Sequence, residues 1–335
     1  MFGTAQPALS PLCDISRKFV ERNRLRVDAA RIRADVERLP APRNRRYFPQ
    51  AMNDADQMLM ESFASSGWIT DRMVINAGTN LPGANILASK PGTEPGEIVI
   101  VGAHHDTIRD SPGADDNTAS VAALLELARL LQSYTFRHTV LLAAFDMEER
   151  NREGSRELVR QLARGRNVQG AIIYETMAYG ASAPNSQKVP PGLSLLYPQQ
   201  VARMRRRQLR GDWTAVLYRR SALKIARSFG SALAHAAGDD SIMLLRDITD
   251  LAMIGALMKR LPFSAELQRS DHLSFWNAGI PAILITDTAN FRNPNYHRST
   301  DTPDTLDYER VAAIVQATAV TVAELAGLCQ VSLTL

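Results

Sequence analysis

Several candidate catalytic side chains in this 335-residue sequence follow short apolar runs. The run EIVIVGA leads into His104, His105 and Asp106, and a turn then leads to Asp115 and Asp116. Imidazole and carboxylate ligands without thiolate suit zinc and are acceptable to cobalt or manganese. The residue types therefore indicate a metal centre where a strand gives way to a loop.

Three further segments end in the same kind of side chain. VLLAAFDM is followed by Glu148 and Glu149, GAIIY by Glu175, and PAILITDTANFRNPNY by His297. In an open α/β sheet, ligands bind in the crevice beyond the carboxyl ends of the strands. Four separate segments therefore bring carboxylate or imidazole groups to one edge of the predicted sheet.

A pair of metal ions explains why so many acidic groups gather in the first segment. Two divalent ions about 3.5–4 Å apart need a bridging carboxylate and hold a hydroxide between them at neutral pH. His104 can bind one ion, and Asp115, on the loop before the next helix, can reach both. In extended backbone Asp106 points the same way as His104, so it can hydrogen-bond the imidazole and fix its tautomer, while His105 faces away.

The adjacent glutamates are expected to have different roles. Neighbouring side chains at a strand end diverge, so one carboxylate can bind metal while the other lies over the water molecule. We assign Glu149 as a metal ligand and Glu148 as the general base. A base beside two cations in a closed site can have a pKa suited to moving a proton from water to a leaving group.

The runs are apolar on both faces, which predicts interior strands of a mostly parallel sheet covered by helices. TASVAALLELARLLQSY between the first two runs predicts a buried crossover helix. We expect one domain over residues 1–335, with residues 1–80 forming a helical layer and residues 181–265 an insertion that borders the site. The predicted fold is a three-layer α/β/α sandwich with a mixed, mostly parallel central sheet.

Composition argues against two classes of partner. The net charge of +4 rests mostly on arginine, and the densest cluster, RMRRRQLR, has no interleaved aromatic residues. It favours a solvated helix face over a nucleic-acid site. No apolar stretch reaches the ~18–20 residues of a membrane span, and the first residues do not have the pattern of a leader. We therefore expect a cytoplasmic chain without nucleic-acid or membrane partners; its oligomeric state stays open.

The motifs VGAHHDT, PGADDNTAS, FDMEERNREGS, YETMAY, SDHLSFWNAGIPAILITD and NPNYHRSTDTPDTLDY closely resemble those of the co-catalytic dizinc exopeptidases, in particular the aminopeptidase branch. Their superfamily also holds glutamate carboxypeptidases, glutaminyl cyclases and the transferrin receptor. The resemblance implies two zinc ions per chain, bound by His104, Asp115 as the bridge, Glu149, Glu175 and His297, with Glu148 as the base.

By the same resemblance, Ser270, Asp271 and His272 are expected to help line the substrate pocket, although a structural role for Asp271 and His272 is equally open. Arg292 could hold a substrate carboxylate, or could be a solvated surface residue. Two features depart from the family. Glu175 stands where well-studied aminopeptidases have aspartate, and RNRE after the glutamate pair is more charged than usual.

The favoured function is a metal-dependent hydrolase that cleaves peptide bonds, specifically an aminopeptidase that uses a dizinc-bridged hydroxide. Carboxypeptidase action, or hydrolysis of an N-acyl amino acid, uses the same centre and stays open. Glutaminyl cyclase, with a single zinc, and a metal-free binding protein rank lower, because the full ligand set is present. The expected partner is a peptide or small amide substrate.

Overall fold

The computed structural model describes residues 7–9, 11–12, 14–23, 26–39, 41–75, 81–163, 165, 167–251, 255–258, 260 and 262–331. Ten strands lie in these ranges: β1 (Ile69–Ile75), β2 (Gly83–Lys90), β3 (Glu97–His104), β4 (Tyr134–Phe136), β5 (Thr139–Phe145), β6 (Asn167–Tyr174), β7 (Thr214–Tyr218), β8 (Ile242–Arg246), β9 (Ala282–Thr286) and β10 (Leu328–Val331).

Eight of these strands form one mixed sheet in the order β1-β2-β5-β3-β6-β9-β7-β8. Its centre, β5-β3-β6-β9, is parallel throughout, as is the pair β7-β8. The pairs β1-β2, β2-β5 and β7-β9 are antiparallel. The four apolar runs identified in the sequence are the four central parallel strands, so the carboxyl ends of these strands meet at one edge.

Helices cover both faces of the sheet. They are α1 (Asp14–Asn23), α2 (Ala29–Arg38), α3 (Pro49–Ser65), α4 (Ala119–Leu131), α5 (Glu153–Leu162), α6 (Leu193–Leu196), α7 (Pro198–Arg206), α8 (Leu223–Ala237), α9 (Gly255–Met258), α10 (Pro262–Glu266), α11 (His272–Asn277) and α12 (Tyr308–Ala326).

Successive side chains of a central strand point alternately into two apolar cores, one on each face of the sheet. This explains why the strand sequences are apolar at successive positions. On β3, Val99 and Val101 pack into the core beneath α4, α8 and α12, whereas Ile98 and Ile100 pack into the opposite core, with residues of α5, α7 and α11. All four side chains are buried. The predicted three-layer α/β/α sandwich with a mixed, mostly parallel sheet is thereby confirmed.

Two segments contain strands that the sequence analysis did not predict. Residues 1–80 were expected to be a helical layer, but Ile69–Ile75 form strand β1 at one edge of the sheet. The segment 181–265 contributes β7 and β8 to the sheet as well as helix, so it is part of the sandwich. Within the described ranges, no helix has the length and apolar character needed to cross a membrane.

Candidate metal centre

The parallel register brings three of the candidate segments together. His104 ends β3 and pairs with Phe145, the last residue of β5. Ala103 pairs with Tyr174 of β6, so Glu175 follows at the level of His104. The Glu175 backbone N–H donates to the carbonyl of Ile285 on β9. The side chains that follow these strands therefore share one sheet edge.

One group of potential metal donors consists of His104, Asp116 and Glu175, whose donor atoms all lie within 4.8 Å of one another. His104 Nε2 lies 3.1 Å from Asp116 Oδ1 and 3.4 Å from Glu175 Oε1. Ser270 donates a hydrogen bond to the other oxygen of Glu175, Oε2, at 2.7 Å. The longer glutamate at position 175 thus does reach the imidazole.

A second group consists of Asp116, Glu149 and His297. His297 Nε2 lies 2.9 Å from Asp116 Oδ2 and 3.5 Å from Glu149 Oε1. The ring of Tyr296 stacks on the His297 ring at a centroid distance of 3.9 Å. Asp116 therefore stands between the two groups, with one carboxylate oxygen facing each histidine.

This placement corrects the sequence-based assignment of Asp115 as the shared carboxylate. The Asp115 carboxylate is turned away and accepts hydrogen bonds from the Ala178 N–H at 2.9 Å and from Asn293 Nδ2 at 2.7 Å. The loop is fixed by Asp301, whose carboxylate accepts the N–H groups of both Asp115 and Asp116. Because neighbouring side chains diverge, a loop held in this way presents one aspartate and buries the other.

Gly113 permits the tight turn that leads into this loop. Its φ of +65° is a left-handed conformation that favours glycine, and a Cβ there would lie 2.3 Å from the Asp116 carbonyl oxygen. The peptide bond between Asp116 and Asn117 is cis. Asn117 itself joins the loop to the sheet, because its side chain donates to the Tyr174 carbonyl and accepts from the Thr176 N–H.

Asp106 contacts His104 and the pair Glu148 and Glu149, but its hydrogen bond to His104 is not made by the carboxylate, which is what the sequence analysis expected. The His104 Nδ1 hydrogen bond is to the Asp106 backbone carbonyl at 3.0 Å, and the Asp106 carboxylate lies 3.4 Å away. That carboxylate accepts the N–H groups of Glu148 and Glu149. His105 faces away, as expected, towards Asp56 and the Phe145 carbonyl.

Glu148 is close to these groups but belongs to neither of them. Burial raises the pKa of Glu148 well above its usual value, and the nearby carboxylates of Glu175 and Asp271 raise it further, against the opposing effect of His104. Glu148 therefore combines a position beside both donor groups with a raised pKa, as functional residues often do. It has the properties of a proton-transfer group.

The donor side chains perturb one another strongly. Burial opposes ionisation of Asp116, but the nearby imidazoles of His104 and His297 outweigh this and lower the pKa of Asp116. Burial raises the pKa of Glu149 to about 7, with Asp116 adding to the effect. Although burial alone would lower it, the pKa of His297 rises to about 10 because Asp116 and Glu149 stabilise the imidazolium. Such shifts cluster at functional sites.

A cavity of about 120 Å³ opens beside the donor groups. Its acidic rim includes Asp116, Glu148, Glu149 and Glu175. Its remaining wall is largely apolar and includes Leu193, Met204, Trp213, Leu217, Leu245, Phe263 and Leu284. Much of this wall comes from the segment 181–265.

The structure separates the four candidate substrate-binding residues. Ser270 lines the cavity. Asp271 and His272 are buried, and His272 Nε2 donates to the Leu267 carbonyl at 2.9 Å. Arg292 is buried behind the cavity wall, where it stacks on Trp213 and donates to the Trp213 carbonyl and to Gln187. The expectation that Arg292 could hold a substrate carboxylate is therefore wrong for this structure.

Sequence reasoning missed the role of Asp116 and the residues of the apolar wall. No local signal separates Asp116 from Asp115, because both precede the same helix. Trp213 and Leu217 lie on or next to β7, a strand that the sequence analysis did not identify. Their short run, TAVLY, could have marked a strand, and the position of that strand beside β9 places them at the site.

The chain is similar in sequence to known proteins. The model of peptidase family M28 matches residues 85–217 and 226–322. The uncharacterized protein YfbL of Escherichia coli K12 is 35% identical over 277 residues, which are 79% of this chain and 77% of the relative. The fold and site define a metallopeptidase. The chain belongs to peptidase family M28, which confirms the family predicted from the motifs.

Two further similarities are more distant. A probable zinc metalloprotease of Pyrenophora tritici-repentis is 27% identical over 224 residues, which are 61% of this chain and 42% of the relative. Among solved structures, the aminopeptidase of Aneurinibacillus sp. strain AM-1 superposes with a TM-score of 0.67 at 14% identity, covering 94% of this chain and 97% of that one. At this identity the structural likeness shows the fold alone.

Proposed function

We propose that this protein is a zinc aminopeptidase with two metal ions per chain. The observation that carries the proposal is the position of Asp116, whose two carboxylate oxygens face His104 and His297 at the acidic rim of an otherwise largely apolar cavity. The names of the fungal relative, a probable zinc metalloprotease, and of the structural neighbour, an aminopeptidase, support it.

The donor groups fit a pair of zinc ions. Each offers one imidazole and two carboxylates, with Asp116 common to both, and zinc sites that keep an open position have three protein ligands of these types. Within the described ranges, Asp116 Oδ1 is buried and accepts no hydrogen bond. A buried carboxylate oxygen without a donor is costly unless a cation is present. His104, Asp116, Glu149, Glu175 and His297 would therefore hold the metal.

Zinc bound there would supply activated water at neutral pH and Lewis-acid polarisation of an amide carbonyl. Glu148 supplies the proton-transfer group, because its carboxyl lies beside both donor groups and belongs to neither of them. It accepts a proton from water and passes it to the departing amine. Asp106 holds Glu148 in place through the backbone of the glutamate pair.

The cavity also presents charged side chains that belong to neither donor group. Glu148 and Glu266 are carboxylates of this kind, whereas Asp116, Glu149 and Glu175 would be bound to zinc. Lys188 and Arg269 also line the cavity, and Arg269 donates to Glu266, Asn290 and the Tyr296 hydroxyl. The apolar wall suits a large apolar side chain on the N-terminal residue.

A panel of substrates tests this proposal. The purified chain loaded with zinc should hydrolyse leucyl-p-nitroanilide and leave N-acetyl-leucine and other N-acyl amino acids intact. Metal analysis should give about two zinc ions per chain. Turnover of the N-acyl amino acids alone would favour the amidohydrolase alternative, and one zinc ion per chain with cyclisation of N-terminal glutamine would favour glutaminyl cyclase.

Glu148→Gln tests the proton-transfer role. The substitution preserves size and removes the ionisable group, so kcat should fall by about 10²–10⁴-fold, the usual contribution of general acid–base catalysis. The zinc content should stay near two because Glu148 is outside both donor groups. An unchanged kcat with the metal still bound would exclude Glu148 as the base.

A further inference from the structure

A second cleft, of about 360 Å³, also reaches Glu149. We call it the basic cleft; it is lined by Asn44, Arg45, Arg46, Tyr47, Leu81, Asp106, Asp146, Met147, Glu149 and Arg150. The apolar cavity contacts the donor groups as well and shares Glu149 with this cleft. The second donor group therefore lies between two clefts of different chemistry.

Several charges in the basic cleft are already matched within the protein. Arg45 is buried and binds Asp146 Oδ2 and Asp56 Oδ2, both at 2.6 Å. The Asp106 carboxylate accepts backbone N–H groups from the glutamate pair. Glu149 belongs to the second donor group. These charged groups are therefore paired within the protein. The charge that is available to a ligand at the rim of the cleft comes from other residues.

The rim carries exposed guanidinium groups. Arg150 is exposed, and its Nε lies 3.5 Å from Glu153 Oε1, a pair that solvent screens. Arg46 is exposed and stacks on the ring of Tyr47 at 5.3 Å, and Arg109 stacks on the same ring at 5.1 Å. Tyr47 is 44% exposed. The rim is therefore basic and has an aromatic surface.

We propose that the basic cleft binds the C-terminal carboxylate of a di- or tripeptide whose N-terminal residue occupies the apolar cavity. This inference rests on the proposed aminopeptidase function and deepens it by naming short peptides as the substrate class. Arg46 and Arg150 are the residues that bind the carboxylate, because a guanidinium group matches a carboxylate in shape and charge. Tyr47 offers a surface to the side chain of the released residue.

The length of a short peptide matches this arrangement. An extended residue spans at most about 3.3–3.6 Å, so a dipeptide carboxylate lies only a few ångströms beyond the bond that is cleaved. The basic cleft shares Glu149 with the second donor group, so the carboxylate of a di- or tripeptide bound at that group is within reach of the cleft. A longer peptide would place a neutral amide there. Arg150 belongs to the charged segment that follows the glutamate pair.

The test compares leucyl-leucine with leucyl-leucinamide, which differ only in the terminal carboxylate, on the zinc-loaded protein. We expect kcat/KM to be about tenfold higher for leucyl-leucine, consistent with two solvent-accessible ion pairs. The preference should shrink in 0.5 M salt because such pairs are screened. In the double variant Arg46→Gln and Arg150→Gln the ratio should fall to about one. The matched control is Arg206→Gln, an exposed arginine of α7 outside both clefts, which should keep the wild-type ratio.

Each failure has a distinct result. If leucyl-p-nitroanilide is hydrolysed but the two dipeptide substrates are cleaved equally well by the wild-type protein, the inference is overturned and the aminopeptidase proposal stands. The same holds if the double variant keeps the wild-type ratio. If none of the three substrates is hydrolysed while N-acyl amino acids are, the proposed function is overturned and this inference falls with it.

Discussion

His272 should make the folded chain less stable at acidic pH. The ring is buried, its Nε2–H donates to the Leu267 carbonyl, and it packs edge-on against Trp276 at 4.4 Å. In the described part of the chain, Nδ1 is buried without a hydrogen-bond partner. A second proton would place an unpaired N–H and a charge in the interior. Burial, only partly offset by the Leu267 carbonyl, therefore lowers the pKa of His272 to about 4.

The surrounding charges contribute smaller and opposing effects, since Asp247 favours the protonated ring while Arg219 and Arg152 disfavour it. In the unfolded chain a histidine has a pKa of about 6.5. Between this value and about 4, the unfolded state binds a proton that the folded state does not. Stability is therefore lost as the pH falls through this window. From pH 7 to pH 5 the loss is about 2 kcal/mol.

The assay is urea unfolding at pH 7 and pH 5 for the wild type, for His272→Gln and for the control His235→Gln, which changes an exposed histidine of α8. A buried glutamine has its own cost, but this cost is the same at both pH values. The difference in unfolding free energy between the two pH values should be about 2 kcal/mol smaller for His272→Gln than for the other two proteins. Equal differences in all three proteins would refute the reasoning.

Three further outcomes are expected. Asp116→Asn should reduce the zinc content, whereas Asp115→Asn should retain it; metal analysis with both contents unchanged would contradict the placement of Asp116 between the donor groups. Asp301→Asn should weaken zinc binding by about 10–100-fold in a chelator competition, because Asp301 orients the loop that carries Asp116. Leu217→Ala shortens a side chain of the cavity wall and so enlarges the cavity. The ratio of kcat/KM for phenylalanyl-p-nitroanilide over leucyl-p-nitroanilide should therefore rise by about tenfold. An unchanged ratio would show that the side chain of the substrate's N-terminal residue does not enter the cavity beside Leu217.

Much of the centre could be predicted from sequence because its residues follow the strands directly. His104 ends β3 and Glu175 follows β6, so the register of parallel strands brings them together once the strands are identified. The separate positions of Glu148 and Glu149 also follow locally, since adjacent side chains diverge. The apolar runs that predicted these strands are continuous because both faces of the sheet are covered.

Other features depended on contacts between distant segments. Asp301 receives the N–H groups of Asp115 and Asp116 from 185 or more positions away, and this contact decides which of two identical side chains faces the histidines. Arg292 was a candidate for a substrate carboxylate, but Trp213 and Gln187 hold it behind the wall. Neither result has a signature in the local sequence.

The sequence by itself determined the order of the strands along the chain, the residue types at their ends and hence the family. Tertiary structure alone decided which aspartate lies between the donor groups and which side chains form the two clefts. The physical reason is the range of the interactions. Strand periodicity and side-chain direction act over a few residues, whereas hydrogen bonds such as those of Asp301 join positions that only the folded chain brings together.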